Sequence, residues 1–402
     1  MSVNLTRESE ILLKLLANDL FGAGGQIKLD GISLKELFEE AKAQTVIGIA
    51  FNSLPSSAKE IDENTYLLWQ QTAFAIMQKT LNNNLANVKL TELLLKNDIK
   101  HATIKGYASA HFYPKPSLRQ MGDIDFLVNK GDVDRASKLL LENGFSYGHE
   151  ANQIHIDFRK NKMSYEMHTS VTAVPAGKEF VLEAFDDLID SANQVNSICG
   201  KIVIPSLYHH GVTMLTHMQR HMVNGSGIGL RHLCDWAVFV NSIDNDEWIG
   251  VFEERLKSIG LWRFAKAISK TASIYIKLPE KKWFEDVEDD LAKALIYDIF
   301  DGGNFGRKSD TRGMQQVFID REHYDRNLIV RFFGGITKRV CKRFPFFGKY
   351  KFLLPVGYIM YAFVVLYRIT FGKRHFNPIE VFKKGNEQFD TYTKLAFFQE
   401  EK

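Results

Sequence analysis

Cysteine is scarce in this chain of 402 residues, and its placement excludes two kinds of structure. Cys199, Cys234 and Cys341 are odd in number and widely scattered, so neither a disulfide framework nor a cysteine metal site is expected. A charge excess is also lacking: 51 Lys and Arg stand against 48 Asp and Glu, a net charge of +3. The average balance therefore points to neither nucleic acid nor membrane. The opening stretch, MSVNLTRESEILLKLLANDLF, has no basic start, long apolar core or small-residue cleavage site, and reads as a first helix rather than a secretory leader. No repeat of fixed period stands out. The uncharged run FLLPVGYIMYAFVVLY stops at sixteen residues, short of the roughly 20 that a membrane-spanning helix needs. What remains is ordinary globular composition, 45% apolar and 25% charged, long enough for two or three domains, with a reducing cytosol as the expected setting.

The pattern divides the chain into four parts. Residues 1–98 are mainly helical, with apolar residues three and four apart; the asparagines of LNNNLANVKL are expected on the wet face of one long helix. Residues 99–204 alternate strand, turn, helix, loop and strand, and their helix 132–143 stops at Gly144. Within this part, Gln153 to Phe158 and Met163 to Val171 flank the polar turn RKNK and read as an antiparallel hairpin. Residues 205–300 return to helices. Residues 301–402 open on the loop DGGNFGRKSDTRG and continue as a basic, aromatic-rich helical tail. The fold class is α+β, a mixed α/β module between helical regions.

The chemistry is concentrated in the strand GDIDFLV. Side chains on a strand alternate, so Asp123, Asp125 and Leu127 share one face while Ile124, Phe126 and Val128 fill the other. Two carboxylates held so close need a positive partner, and a divalent cation is the usual one. Glu166, on the strand SYEMHTSV, supplies a third acid; Asp157 in IHIDF competes with it, and alternation leaves both open. Upstream, Lys105 and Gly106 end a strand and open a helix, where free backbone N–H groups and a glycine's close approach can hold a phosphate.

These residues together resemble the nucleotidyltransferase superfamily with the DNA polymerase beta-like fold, and within it a bacterial family of uncharacterised nucleotidyltransferases. The resemblance rests on IKG at Ile104 to Gly106, Arg119 four residues before the acid pair, the DIDFLV strand, the helix ending at Gly144-Phe145, and YEMH. It continues through LTHMQRH, LRHLCDWAVFV, GGNFG and KFLLPVGY, covering roughly residues 99–368. It implies transfer of a nucleoside monophosphate from a nucleoside triphosphate to an acceptor, which the sequence leaves open as a small molecule, a protein or RNA. Carried over, Asp123, Asp125 and Glu166 would hold two Mg²⁺ ions, with Mn²⁺ a substitute, and Glu166 could serve as general base. The superfamily's usual turn is Gly-Gly or Gly-Ser, whereas this chain has Gly106-Tyr107; Lys105, Ser117 and Arg119 are the candidates to compensate on the phosphates. The same departure sets an alternative reading, a nucleotidyltransferase-like binding or regulatory module with impaired catalysis, docked to a membrane-associated partner.

Other features have plainer readings. His168 beside Glu166 is expected to be a hydrogen-bonded structural residue. His209, His210, His217 and His221 invite zinc, but no carboxylate or cysteine on that helix completes a tetrahedral set, so packing against a cleft or core is expected. Arg231 and Asp235 are expected to pair four residues apart on a helix, and Asn304 and Gly306 to sit in a plain loop. Residues 331–376 contain ten Lys or Arg and no Asp or Glu. A buried helix is the first expectation for the apolar run; a weak contact of residues 331–374 with an anionic membrane, placing the protein in the cytoplasm at the inner face, is the second.

Overall fold

A computed structural model of the chain describes residues 5–151, 155–171, 174, 178–224, 226–306, 308, 312–315, 328–371, 377–397 and 399. The chain begins with α1 (Arg7–Phe21), α2 (Leu34–Ala43), α3 (Ile47–Asn52), α4 (Ala58–Ile61) and α5 (Glu63–Lys96). Side-chain caps fix several starts: Thr6, Ser33 and Asp62 each accept a hydrogen bond from a backbone N–H in the first turn of α1, α2 and α5. Then come β1 (His101–Thr103), α6 (Tyr107–Ala110), β2 (Ile124–Val128), α7 (Val133–Glu142), β3 (Ser146–Ala151), β4 (His155–Lys160), β5 (Met163–His168), β6 (Asn193–Asn196) and β7 (Lys201–Ile204). The remaining helices are α8 (Leu207–Val223), α9 (Leu230–Asn241), α10 (Asn245–Ser258), α11 (Trp262–Ile276), α12 (Asp289–Gly302), α13 (Arg312–Gln315), α14 (Leu328–Arg343), α15 (Pro345–Lys349), α16 (Leu354–Phe371) and α17 (Pro378–Leu395). Among the described residues no helix is long and apolar enough to cross a membrane.

The five-stranded sheet runs β1-β2-β5-β4-β3, with β2 and β5 parallel and every other pair antiparallel. The fold is thus α+β with a mixed sheet and helices at both ends. One sheet face is apolar: Ile124, Phe126, Val128, Phe158, Tyr165 and Met167 pack with Leu90, Leu94, Ala136 and Leu140 from α5 and α7. Strand alternation then forces the acids and histidines of the same strands onto the opposite face. A second, larger core joins the N-terminal helices to α8 through α12, with Trp69, Trp236, Trp248 and Phe264 fully buried in it.

Three expectations are corrected here. The asparagines of α5 do not form a wet face: Asn83, Asn84 and Asn87 are buried, while Asn82 is exposed. Asn83 Nδ2 donates to the carbonyl of Gly122 at 2.9 Å, Asn84 Oδ1 accepts from the Cys199 N–H at 2.8 Å, and Asn87 Oδ1 accepts from Thr103 Oγ1 at 3.0 Å. The polar stripe is bonded to the α/β part instead of to water. The hairpin turn is Asn161-Lys162 alone, both at positive φ, which matches the right-handed twist of the flanking strands; β5 ends at His168, and residues 153 and 154 lie outside the described ones. The apolar helix of the tail, α16, is not buried: a continuous row of its large apolar side chains faces outward. Burial would need a partner surface, and α14 covers only the side carrying Gly357, Tyr358 and Tyr361. Residues 372–376 of the tail lie outside the described ones.

Candidate active site

The register of the sheet brings the acids together. Asp125 on β2 lies directly opposite Glu166 on the parallel neighbour β5, and Asp157 on β4 lies opposite Glu166 on the other side. Asp123, two residues before Asp125, falls on the same face. His155 and His168 are register partners of each other and share this face too. Asp157 is therefore one strand farther from Asp125 than Glu166 is.

Behind these strands opens a cavity of about 710 Å³, lined by Lys105, Gly106, Ser109, Arg119, Asp123, Asp125, His155, Glu166 and His168 on the sheet side, with α8 and α9 opposite. Neither Ser117 nor Asp157 lines it. The bond from the Ile104 N–H to the Asp125 carbonyl, 3.1 Å, continues the β1–β2 ladder far enough to bring the next residue over the acids. Lys105 Nζ then donates to Asp125 Oδ1 at 2.7 Å, and His168 Nε2 lies 2.9 Å from the same oxygen and 3.4 Å from Glu166 Oε2.

These contacts set the protonation. Burial by itself would push the Asp125 carboxyl up, but Lys105 and His168 outweigh it and hold the group well below the usual carboxylate range. His168 is raised because Asp125 and Glu166 overcome the effect of its burial. Glu166 is lowered, chiefly by its hydrogen bond with His168. Asp123 goes the other way, to about 7, through burial, the charge of Asp125 and a hydrogen bond with Glu166. Asp123 is thus the carboxyl whose charge the neighbouring Asp125 and Glu166 oppose, the condition that a bound divalent cation relieves. The carboxylate oxygens of Asp123, Asp125 and Glu166 fit a hard cation. His155, Glu166 and His168 also bring one donor atom each within 4.8 Å of one another.

Two of the residues expected on phosphates sit differently. Arg119 is buried, donating from Nε and Nη2 to the two carboxylate oxygens of Asp235 at 2.7 Å each; Tyr113 Oη adds a third donor to Asp235 at 2.7 Å. The expected Arg231–Asp235 pair is corrected accordingly: Asp235 faces inward and takes the bidentate arginine from the α/β part, while the Arg231 guanidinium lies 5.5 Å from the centre of the Phe305 ring. Ser117 stands in the single helical turn Pro116–Leu118. Tyr107, after the turn glycine, points into an apolar cluster with Val88 and Ile204, and its hydroxyl accepts the Ile198 N–H at 3.0 Å. Gly106 itself has φ +58 and ψ −107, a conformation closed to side-chain-bearing residues.

The histidines of α8 fall into two groups, with His209 and His210 apart from the touching rings of His217 and His221. His209 contacts Asp187 and Ser206, and His210 stacks on Phe112. His217 and His221 face the cavity, where they meet His232 and Phe305. His155, Ser109, His232 and Phe305 escaped the reading of the sequence. Alternation on β4 puts His155 on the face of Asp157, but only the register shows that it reaches His168; nothing local singles out Ser109, and His232 and Phe305 stand unmarked within LRHLCDWAVFV and GGNFG.

A family described as "Uncharacterised nucleotidyltransferase" matches residues 30–276 of the chain. No curated protein matches it.

Proposed function

The chain belongs to the family of uncharacterised nucleotidyltransferases, transferases of phosphorus-containing groups, and from that membership we propose that it moves a nucleoside monophosphate from a nucleoside triphosphate to an acceptor with the help of Mg²⁺. The observation that carries this reading is the row of Asp125 and Glu166 on adjacent parallel strands, with Asp123 on the same face and the cavity above it. Asp123, Asp125 and Glu166 would hold two Mg²⁺ ions, with Mn²⁺ able to replace them. Bound ions would neutralise the triphosphate and lower the pKa of the acceptor hydroxyl.

The chain's own residues do the rest. His168 orients Asp125 and Glu166 from below. Lys105, which lines the cavity beside Asp125, would serve the triphosphate, and Lys79, Arg220 and Arg231 add positive charge around the same cavity. Glu166 is favoured over Asp157 as the third acid because it neighbours Asp125 and lines the cavity. Ser109 is the hydroxyl nearest in sequence to the Gly106 turn that lines the cavity, and it takes the place first given to Ser117. Arg119 acts as a positioning residue, since Asp235 occupies its guanidinium. The inward turn of Tyr107 leaves the Gly106 backbone clear and favours an active enzyme over an impaired module.

The test is transfer itself. The protein is incubated with each labelled nucleoside triphosphate, Mg²⁺ and a cell extract, alongside Asp123→Ala. Label should pass to an acceptor with the native chain alone. Absence of transfer and of pyrophosphate release with every triphosphate, under Mg²⁺ and Mn²⁺ alike, would overturn the proposal.

A further inference from the structure

Large apolar side chains on a folded surface are ordinary when scattered and informative when contiguous. On α16 they are contiguous. Val356, Ile359, Phe363, Leu366, Tyr367 and Phe371 are all exposed, and their spacing of three, four, three, one and four residues sets them on one helical face. Ile359, Phe363, Tyr367 and Phe371 are 60%, 66%, 67% and 73% exposed.

The opposite side of α16 is already engaged. Tyr358 Oη bonds Thr337 Oγ1 of α14 at 2.7 Å, Arg339 reaches Tyr361 Oη at 3.4 Å, and a Cβ at Gly357 would lie 2.6 Å from Val340. The outward row is therefore held in place by a packed helical hairpin and is not one face of a loose segment. At the corner of that hairpin, Lys342, Arg343, Lys349 and Lys351 are exposed, and residues 331–376 contain no acidic residue.

We propose that the α14–α16 hairpin is a docking surface for an anionic lipid bilayer, with the outward face of α16 lying in the interface and the basic corner on the headgroups. A surface that is apolar and purely basic at once fits acyl chains bordered by anionic headgroups. A nucleic acid would satisfy the lysines, and a single strand could stack its bases on the rings, but either would leave Val356, Ile359 and Leu366 in water. A second copy meeting this face across a twofold axis would bring basic corners together, with no acid in the segment to answer them. Since no helix among the described residues is long and apolar enough to cross a membrane, the contact is proposed as peripheral.

The full chain is mixed with vesicles of phosphatidylcholine alone or with about a third phosphatidylserine and sedimented at low salt and in 0.5 M NaCl. Binding should require phosphatidylserine. Lys342→Glu combined with Lys349→Glu should cut it by more than tenfold, since each basic residue contributes roughly fivefold near such a surface. Phe363→Asp with Leu366→Asp should also abolish it; both side chains are exposed, and unchanged thermal unfolding shows that the fold survives. In Phe363→Trp, the indole emission should shift to the blue on vesicles and be quenched by brominated acyl chains. Equal binding to both vesicle types, no binding to either, or a wild-type dimer that the Asp substitutions dissociate would overturn the proposal. So would binding to RNA that the Asp substitutions leave intact.

Discussion

At the scale of single residues, the acid pair follows from alternation alone: a strand reading Asp-Ile-Asp-Phe-Leu-Val must put its charges on one face and its bulk on the other. Glu166 was legible as a candidate, and only the β2–β5 register separates it from Asp157. Removing one carboxylate without changing its shape should therefore stop the chemistry. Asp125→Asn and Glu166→Gln are each expected to lower pyrophosphate release on the order of 10²-fold or more, comparable to losing a catalytic acid or base; Glu166→Gln should unfold close to native, whereas Asp125→Asn should also lose stability because Lys105 and His168 are left without their buried carboxylate. Lys105→Met should weaken triphosphate binding more than it slows turnover at saturation.

Buried histidines give a separate, pH-dependent prediction. Burial lowers His101 from 6.5 to about 4 and His210 from 6.5 to about 3. Between these values and 6.5 the unfolded chain binds protons that the fold refuses, so stability is complete above pH 6.5 and is lost as pH falls. Each group contributes at most about 1.4 kcal/mol per pH unit within its window. Urea unfolding at pH 5 and 7.5 should show the loss, and His101→Gln should reduce the slope by one proton.

At the scale of elements, the least legible feature is how the α/β part is fastened to its helices. Helical periodicity marked α5 as one helix, yet polar residues on a helix are normally solvated, so the sequence sent Asn83, Asn84 and Asn87 to the wrong side. Their partners lie at Gly122, Cys199 and Thr103, too far along the chain for a local pattern to reveal. The same holds for Arg119, whose carboxylate is 116 residues away on α9, while Arg231 stands at the textually obvious distance. Breaking a buried ion pair leaves an uncompensated charge: Arg119→Met and Asp235→Leu should each cost about 3–5 kcal/mol, and the double substitution less than their sum. Because Thr80 Oγ1 and Asn83 hold the Arg119 and Gly122 carbonyls, Asn83→Ala should cost about 1 kcal/mol and raise the metal concentration needed for half-maximal rate.

At the scale of the whole molecule, the strand order and the two-sided sheet place every polar group of the site on the face turned toward α8 and α9. Composition and alternation were enough to expect an α/β module between helical regions, and the resemblance supplied its mixed sheet. They were not enough to find β3, or the β6–β7 hairpin, whose first strand reads Asn-Gln-Val-Asn and carries no apolar alternation. Nor could they show that α16 stays uncovered, because an apolar run looks the same in sequence whether its partner is protein or lipid.

The central claim is that this sheet face holds divalent cations beside a triphosphate. The most direct measurement is electron paramagnetic resonance of Mn²⁺ added to the protein with a non-hydrolysable nucleoside triphosphate. Two bound ions per chain are expected, spin-coupled at a separation of about 3.5–4 Å, with the coupled signal lost in Asp123→Asn and Asp125→Asn. A spectrum no different from that of the Mn²⁺–nucleotide complex without protein, or a coupled pair that survives both substitutions, would contradict it.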